Sequence, residues 1–206
     1  MINKNKSNLS KLIYYILIII ISILAATYCN AGYNIKDLNE KVRIGELPDF
    51  CFATIIGSAD EAKKQKYYDY YGPIFGHVHH YCYAIDKINT YRKTNDKKVL
   101  RSSIFEFDYV LAKEDPKNRI NYKIAFAKGR VLLLLNENPE DKNEAMKSFY
   151  LSIKLNNRYS KAYIAISNMY LENGNVEMAM KILKQGLEKN PQSKNLKAAI
   201  NKIGKH

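Results

Sequence analysis

Apolar residues recur at every third or fourth position in the C-terminal part of the chain, which is the pattern of an amphipathic helix with one buried face. Two such segments lie within residues 160–191. Gly174-Asn175 separates them, because glycine adopts left-handed backbone conformations and asparagine is a good N-cap for the next helix. The apolar positions are Tyr163, Ile166, Met169 and Tyr170 in the first segment, and Val176, Ala179, Met180, Leu183 and Leu187 in the second. A helix pair of this length cannot bury both apolar faces alone, so the pattern predicts neighbouring helices.

Small residues stand where the two predicted helices must approach closely, at Ser167, Ala179 and Gly186. With the aromatic, turn and proline positions, this spacing resembles the tetratricopeptide repeat, a helix-turn-helix unit of about 34 residues. The resemblance rests on Tyr163, Ile166-Ser167, Tyr170, Gly174-Asn175, Ala179, Leu183, Gly186 and Pro191. It implies a right-handed superhelix of helix pairs whose concave groove binds protein or peptide partners.

A second copy of the pattern spans residues 122–157, with Gly129 at the small position of its first helix. The second helix has its matching residues at Ala145, Phe149 and Ser152. The small residues of the two helices are four positions farther apart than in the copy at 160–191, and we assign the extra residues to a longer loop at 136–143. Asp141 and Glu144 are then a capping-box pair at the start of the second helix.

A more degenerate copy is predicted over residues 75–116, with helices at 75–91 and 99–113. Its matching residues are Tyr83-Ala84 in one helix and Ser103, Phe107 and Val110 in the next. After the last repeat, residues 193–203 predict a capping helix that faces the array with Leu196, Ala199, Ile200 and Ile203.

The region 32–74 predicts additional helices before the repeats. Pro48 suits the first turn of a short helix through residue 56, and Ser58 with Glu61 is a capping box for a helix at 59–71. Gly72-Pro73 ends that helix. The predicted fold class is therefore all-α, a tetratricopeptide-like superhelix of about three helix pairs and a capping helix, preceded by extra N-terminal helices.

Residues 1–31 read as a targeting segment, because three lysines precede the apolar run 12–26. Fifteen apolar residues suit the core of a signal peptide better than a full membrane span, which needs about 20. Cleavage after Ala31, retention as an N-terminal membrane anchor, and lipidation at Cys29 are the three alternatives. Each of them predicts an exported protein, periplasmic or on the extracytoplasmic face of the membrane.

Cys51 and Cys82 are the two cysteines outside that segment. In an oxidising compartment an even pair predicts a disulfide, which would stabilise the N-terminal part by about 3 kcal/mol in the loop-entropy model. Two inert buried thiols are the alternative.

The net charge of +13 and the isoelectric point of about 9.5 favour acidic partners, anionic lipid or nucleic acid. The lysines are scattered over predicted helix surfaces, and the chain has no zinc-finger spacing, RNA-binding motif or glycine-rich phosphate loop. We therefore expect no nucleic-acid ligand.

The segment 76–82 concentrates ligand-type side chains, with His77, His79 and His80 beside Cys82. Imidazole and thiolate groups at helical spacing can hold zinc or copper. The alternative is that these residues pack where the N-terminal helices meet the repeats. No nucleophile with an orienting pair surrounds them, so we expect neither an enzyme nor a bound cofactor or metal.

The resemblance places the candidate binding residues on the outward face of each repeat's first helix. They are Lys123, Phe126 and Arg130 in one helix, and Lys161, Ile164 and Asn168 in the next. Cations and an amide around two apolar side chains suit an acidic or C-terminal peptide. A merely solvated face is the alternative.

Two functions follow from these patterns. The first is an exported adaptor that binds a protein or peptide partner through its repeats, in envelope assembly or secretion, with self-association as a further property. The second is a small metal-handling protein or enzyme accessory centred on residues 77–82.

Overall fold

The computed structural model describes residues 47–55, 61–113 and 119–204, and every regular element in these ranges is helical. Nine α-helices and one 3₁₀ helix are present there: α1 (Asp49–Ile55), α2 (Glu61–Tyr71), the 3₁₀ helix (Pro73–His77), α3 (Val78–Thr94), α4 (Lys97–Leu111), α5 (Asn121–Leu135), α6 (Pro139–Leu155), α7 (Ser160–Glu172), α8 (Val176–Lys189) and α9 (Lys194–Ile203). The predicted all-α class is confirmed. The predicted targeting segment 1–31 and the predicted cap at Ser58 lie outside the described residues.

Six of these helices form three hairpins with very short connections. Asn95 and Asn136 have positive φ values of 55° and 40° at the ends of α3 and α5, and Gly174 has a φ of 72° between α7 and α8. Asparagine and glycine tolerate this left-handed conformation better than other residues. Asn175 then caps α8 by accepting a hydrogen bond from the Met178 N–H at 3.0 Å.

The longer loop expected at 136–143 is wrong. Helix α6 begins at Pro139, so the connection after α5 has only residues 136–138, as short as the one at 173–175. The four additional positions are helical instead. Asn138 is the N-cap of α6, and its side chain accepts from the Asp141 N–H at 2.9 Å. The expected capping box of Asp141 and Glu144 is therefore wrong as well, because an Asn-Pro pair starts the helix three residues earlier.

Each hairpin packs on the next one along the chain, α4 against α5 and α6 against α7, while α9 packs on both α7 and α8. Fully buried side chains occur on every helix of the three hairpins and on α9. They include Leu100, Phe107, Val110, Ile124, Leu135, Ala145, Phe149, Ile166, Ala179, Leu183 and Leu196. This is a helical-repeat-like arrangement, built by stacking amphipathic pairs.

The glycines expected at close approaches do meet aromatic rings. A Cβ at Gly186 would lie 2.7 Å from the Tyr163 ring, so α7 and α8 could not approach as they do with any larger residue there.

The capping helix behaves as predicted: Leu196 is buried, and Ala199, Ile200 and Ile203 pack against the core. Val176 was expected on the buried face and is 52% exposed, because it is the first residue of α8 and lies beyond the helix-helix contact.

The N-terminal helices join the array through a disulfide and a group of aromatic rings. Cys51 in α1 is bonded to Cys82 in α3, which confirms the predicted bridge. The rings of Phe50, Tyr67, Tyr71, Phe75 and Tyr81 are linked by centroid distances of 5.7 to 6.4 Å. Tyr68 and Tyr70, on the other face of α2, are 45% and 53% exposed.

Within the described ranges, no helix combines the length and the apolar character that crossing a membrane requires.

Candidate partner-binding groove

Helices α5 and α7 are the first helices of consecutive hairpins, and together they form a groove. Phe126 and Arg130 are four residues apart on α5, so they lie on one face of it. Lys161, Ile164 and Asn168 follow the same rule on α7, at spacings of three and four.

Five of the six predicted groove residues line one pocket of about 330 Å³. The complete lining is Phe126, Arg130, Leu133, Phe149, Lys161, Ile164, Ala165, Asn168, Met169 and Glu172. The sixth predicted residue, Lys123, is not part of it, and its Nζ lies 5.8 Å from the centroid of the Tyr122 ring. The structure thus brings together most of the residues that the resemblance selected, without showing what binds to them.

The floor of the groove is apolar and rigidly packed. The ring centroids of Phe126 and Phe149 are 5.5 Å apart, and Phe126 also contacts the Tyr159 ring edge-on at 5.3 Å. Burial raises the pKa of Tyr159, with a further contribution from Tyr122, while the positive charge of Arg130 acts in the opposite direction. Arg130 is therefore close enough to this aromatic wall to act on it electrostatically.

Among the described residues, the cations of the groove form no ion pair, which is also true of exposed lysines such as Lys181, Lys184 and Lys197. Arg101, Lys87, Lys128 and Lys147 each form an ion pair with a carboxylate at 2.5 to 2.8 Å. Among the described residues, no carboxylate lies within ion-pair distance of Arg130 or Lys161. The groove therefore presents two exposed positive charges above an apolar floor, with Glu172 as the one carboxylate of its lining.

Sequence reasoning missed Leu133, Ala165, Met169 and Glu172 of this lining. The resemblance indicated one residue per helical turn, whereas the pocket also takes side chains from the edges of each helix and Phe149 from α6. The lining combines two cations and one carboxylate with apolar side chains, a chemistry that suits binding by charge and apolar contact.

The histidine segment is engaged in contacts between α3 and α4. His80 Nδ1 lies 2.6 Å from Glu106 Oε2, and Lys87 Nζ donates to Glu106 Oε1, also at 2.6 Å. Burial alone would raise the pKa of the Glu106 carboxyl, but hydrogen bonds from His80 and Lys87 outweigh it and hold that pKa below its ordinary value. Glu106 was not singled out from the sequence, because 26 residues separate it from His80.

The other histidines also pack between side chains. His77 contacts the Tyr109 ring at a centroid distance of 5.7 Å, and burial is the main cause that lowers the pKa of His79. Cys82 is bonded to Cys51, so its sulfur is not a thiolate ligand. Within the described parts of the chain, no three His, Cys, Asp or Glu side chains are grouped to hold a metal ion.

The chain matches no protein-family model, and a search of curated proteins finds no relative.

Proposed function

We propose that this protein is an exported helical-repeat adaptor that binds an acidic protein or peptide partner in the groove between α5 and α7. The export part of the proposal rests on the sequence of residues 1–31, and we place the adaptor in envelope assembly or secretion. The tetratricopeptide-like superhelix is part of the same proposal, supported by the stacked hairpins and by the glycines at close approaches.

One observation supports the binding proposal most directly. Arg130 and Lys161 come from different helices and stand on the same pocket without a carboxylate partner in the described structure. Unpaired cations beside an apolar floor favour a ligand that supplies negative charge and covers Phe126 and Ile164. The shared pocket and its apolar floor, rather than the missing ion pairs alone, distinguish these two cations from exposed lysines such as Lys181 and Lys184.

The metal-handling alternative receives less support. It relied on a thiolate at Cys82, which is consumed by the disulfide, and on imidazoles of which His80 is held by Glu106. No observation favours it over the adaptor.

A comparison of two charge-reversal variants tests the proposal. Tagged full-length protein, its Arg130→Glu/Lys161→Glu variant and a Lys181→Glu/Lys184→Glu control would be used to capture partners from gently solubilised envelope. The control changes the net charge equally on exposed positions of α8. We expect one partner to be retained by the wild type and the control and lost by the groove variant, and the purified partner to bind directly with the same ranking. Equal capture by all three proteins would contradict the proposal and point to another surface.

A further inference from the structure

A second pocket lies beside the groove, between α7, α8 and α9, with a volume of about 340 Å³. Its walls are mainly aliphatic, and only a serine, an asparagine and a lysine interrupt them. The lining is Ser167, Asn168, Leu171, Val176, Leu183, Ala199, Lys202 and Ile203. Pockets of this size with few polar groups are typical of sites that enclose a large apolar group.

The second pocket adjoins the groove at Asn168, which lines both. Ser160 Oγ donates to Ser193 Oγ at 2.7 Å, so the N-terminal ends of α7 and α9 lie side by side. Asn168 and Lys202 each stand eight residues beyond the first residue of their helix. Lys202 is therefore the counterpart of Asn168 on α9, and it extends the groove by one helix.

The extended groove keeps the same sign of charge. Lys202 is exposed, and the described residues give it no ion pair. The two linings together contain three cations and one carboxylate. The cations are Arg130, Lys161 and Lys202, and the carboxylate is Glu172. A ligand that spans both pockets needs negative charge at one part and apolar bulk at another.

The charges favour an acidic peptide over a pure hydrocarbon as the occupant. Lys202 lines the second pocket beside its aliphatic walls, and Arg130 and Lys161 line the adjoining groove. A peptide supplies negative charge for these cations together with an apolar side chain, whereas a hydrocarbon supplies only apolar surface.

We infer that the partner segment is an acidic peptide whose large apolar side chain enters the pocket between α7, α8 and α9. This inference rests on the proposed function and specifies its ligand. Lys161 and Asn168 are seven residues apart on α7, which is about 10 Å along a helix. An extended peptide covers that distance in about three residues, so the acidic and apolar residues stand about three positions apart.

Selection of random nonapeptides displayed on phage, with the immobilised full-length protein as target, tests the inference. We expect enriched peptides to carry Asp or Glu about three positions from Leu, Met or Phe. Replacing the apolar residue of a synthetic copy by alanine should weaken binding roughly 10- to 30-fold, as at an interface hot spot.

Three protein variants locate that side chain, with binding measured by fluorescence anisotropy and folding by thermal melting. Ala199→Phe fills the pocket and should weaken the parent peptide but not its alanine version. Lys202→Glu should weaken the parent peptide about tenfold, while Lys197→Glu, the same change on an exposed position of α9 outside the pocket, should leave it within about twofold. If Ala199→Phe does not fold, the comparison of Lys202→Glu with Lys197→Glu tests whether the peptide binds at the second pocket.

The outcomes separate the two proposals. Enriched peptides without an apolar residue, or with affinities that neither Ala199→Phe nor Lys202→Glu changes, overturn the inference. Binding that also survives Arg130→Glu/Lys161→Glu overturns the proposed function. Enrichment of no peptide overturns the linear-peptide ligand, and capture by the groove variants then decides the function separately.

Discussion

The Phe149 ring occupies the space beside the Cα atom of Gly129. A Cβ atom built at Gly129 would lie 2.5 Å from Cε1 and 2.8 Å from Cδ1 of that ring, closer than such atoms approach in folded proteins. Phe149 is fully buried and its ring also packs against Phe126, at a centroid distance of 5.5 Å. The approach of α5 to α6 therefore depends on the missing side chain.

Gly129→Ala should destabilise the protein although alanine is the better helix former. Overpacking of a buried contact costs about 1–3 kcal/mol, whereas the gain in helix propensity is about 1 kcal/mol. We expect a net loss in the free energy of unfolding, measured by urea denaturation. Gly76→Ala is the control, because no atom lies within 4 Å of its Cβ position. A Gly129→Ala variant as stable as the wild type would contradict the close approach.

Arg101 connects α4 to the start of α6 and should make stability depend on pH. It donates to both carboxylate oxygens of Asp141 at 2.8 and 3.1 Å, and to Glu137 at 2.7 Å. The hydrogen bond from Arg101 is the largest cause that lowers the pKa of Asp141. When the pKa of a carboxyl group is lower in the folded than in the unfolded protein, the group stabilises the fold at pH values above its ordinary pKa. That stabilisation is lost as the pH falls through the pKa of the folded state.

We therefore expect the free energy of unfolding to fall as the pH drops below about 4, and to fall less steeply in Arg101→Gln than in the wild type. At neutral pH, Arg101→Gln should lose about 1–3 kcal/mol, because Asp141 remains buried without its charged donor. Equal pH slopes for the two proteins would show that the pair does not couple to folding.

Glu106 should matter more than a surface carboxylate of the same type. Its side chain is 14% exposed and joins His80 and Lys87, so Glu106→Gln removes the charge that two part-buried groups require. We expect a loss of about 1–3 kcal/mol in the free energy of unfolding. Glu144→Gln breaks an exposed pair with Lys147 and should cost less than about 1 kcal/mol. A larger loss of stability in Glu144→Gln than in Glu106→Gln would contradict the burial of Glu106.

The disulfide between Cys51 and Cys82 should stabilise the N-terminal helices. The two residues are 31 positions apart, and closing a loop of that size is worth about 3 kcal/mol in the loop-entropy model. Cys51→Ala/Cys82→Ala should therefore unfold at lower urea concentration than the wild type. Peptide mapping without reduction should recover the 51–82 link, and two free thiols in the native protein would refute it.

The regular part of this fold could be predicted because each signal was local. The helices α7 and α8, the turn at Gly174 and the capping helix follow from apolar period and glycine position, and these predictions are confirmed. The length of the connection after α5 was misjudged, since the distance between Gly129 and Ala145 does not say whether extra residues extend a loop or two helices. The Asn138-Pro139 pair is the sequence signal that indicates where α6 begins, because asparagine is a common N-cap and proline suits the first helical position.

The candidate site could be predicted only in part, because its residues come from separate helices. The positions on α5 and α7 follow from the resemblance, but Lys202 does not, because the resemblance assigns binding residues to the repeats and not to the capping helix. The spacing of 34 residues from Asn168 to Lys202 was the available signal. Contacts such as His80 with Glu106 depend on how α3 lies against α4, which no local pattern specifies.

The two ends of the hairpin stack differ in how they can open. At one end, α1 is covalently attached to α3 through Cys51 and Cys82. At the other, α9 is held mainly by packing and has Leu196 as its one fully buried side chain. Fraying should therefore start at α9 and proceed toward α7, so amide hydrogens of α9 exchange before those of α3. A ligand that contacts both α7 and α9 would hold α9 in place and slow that exchange.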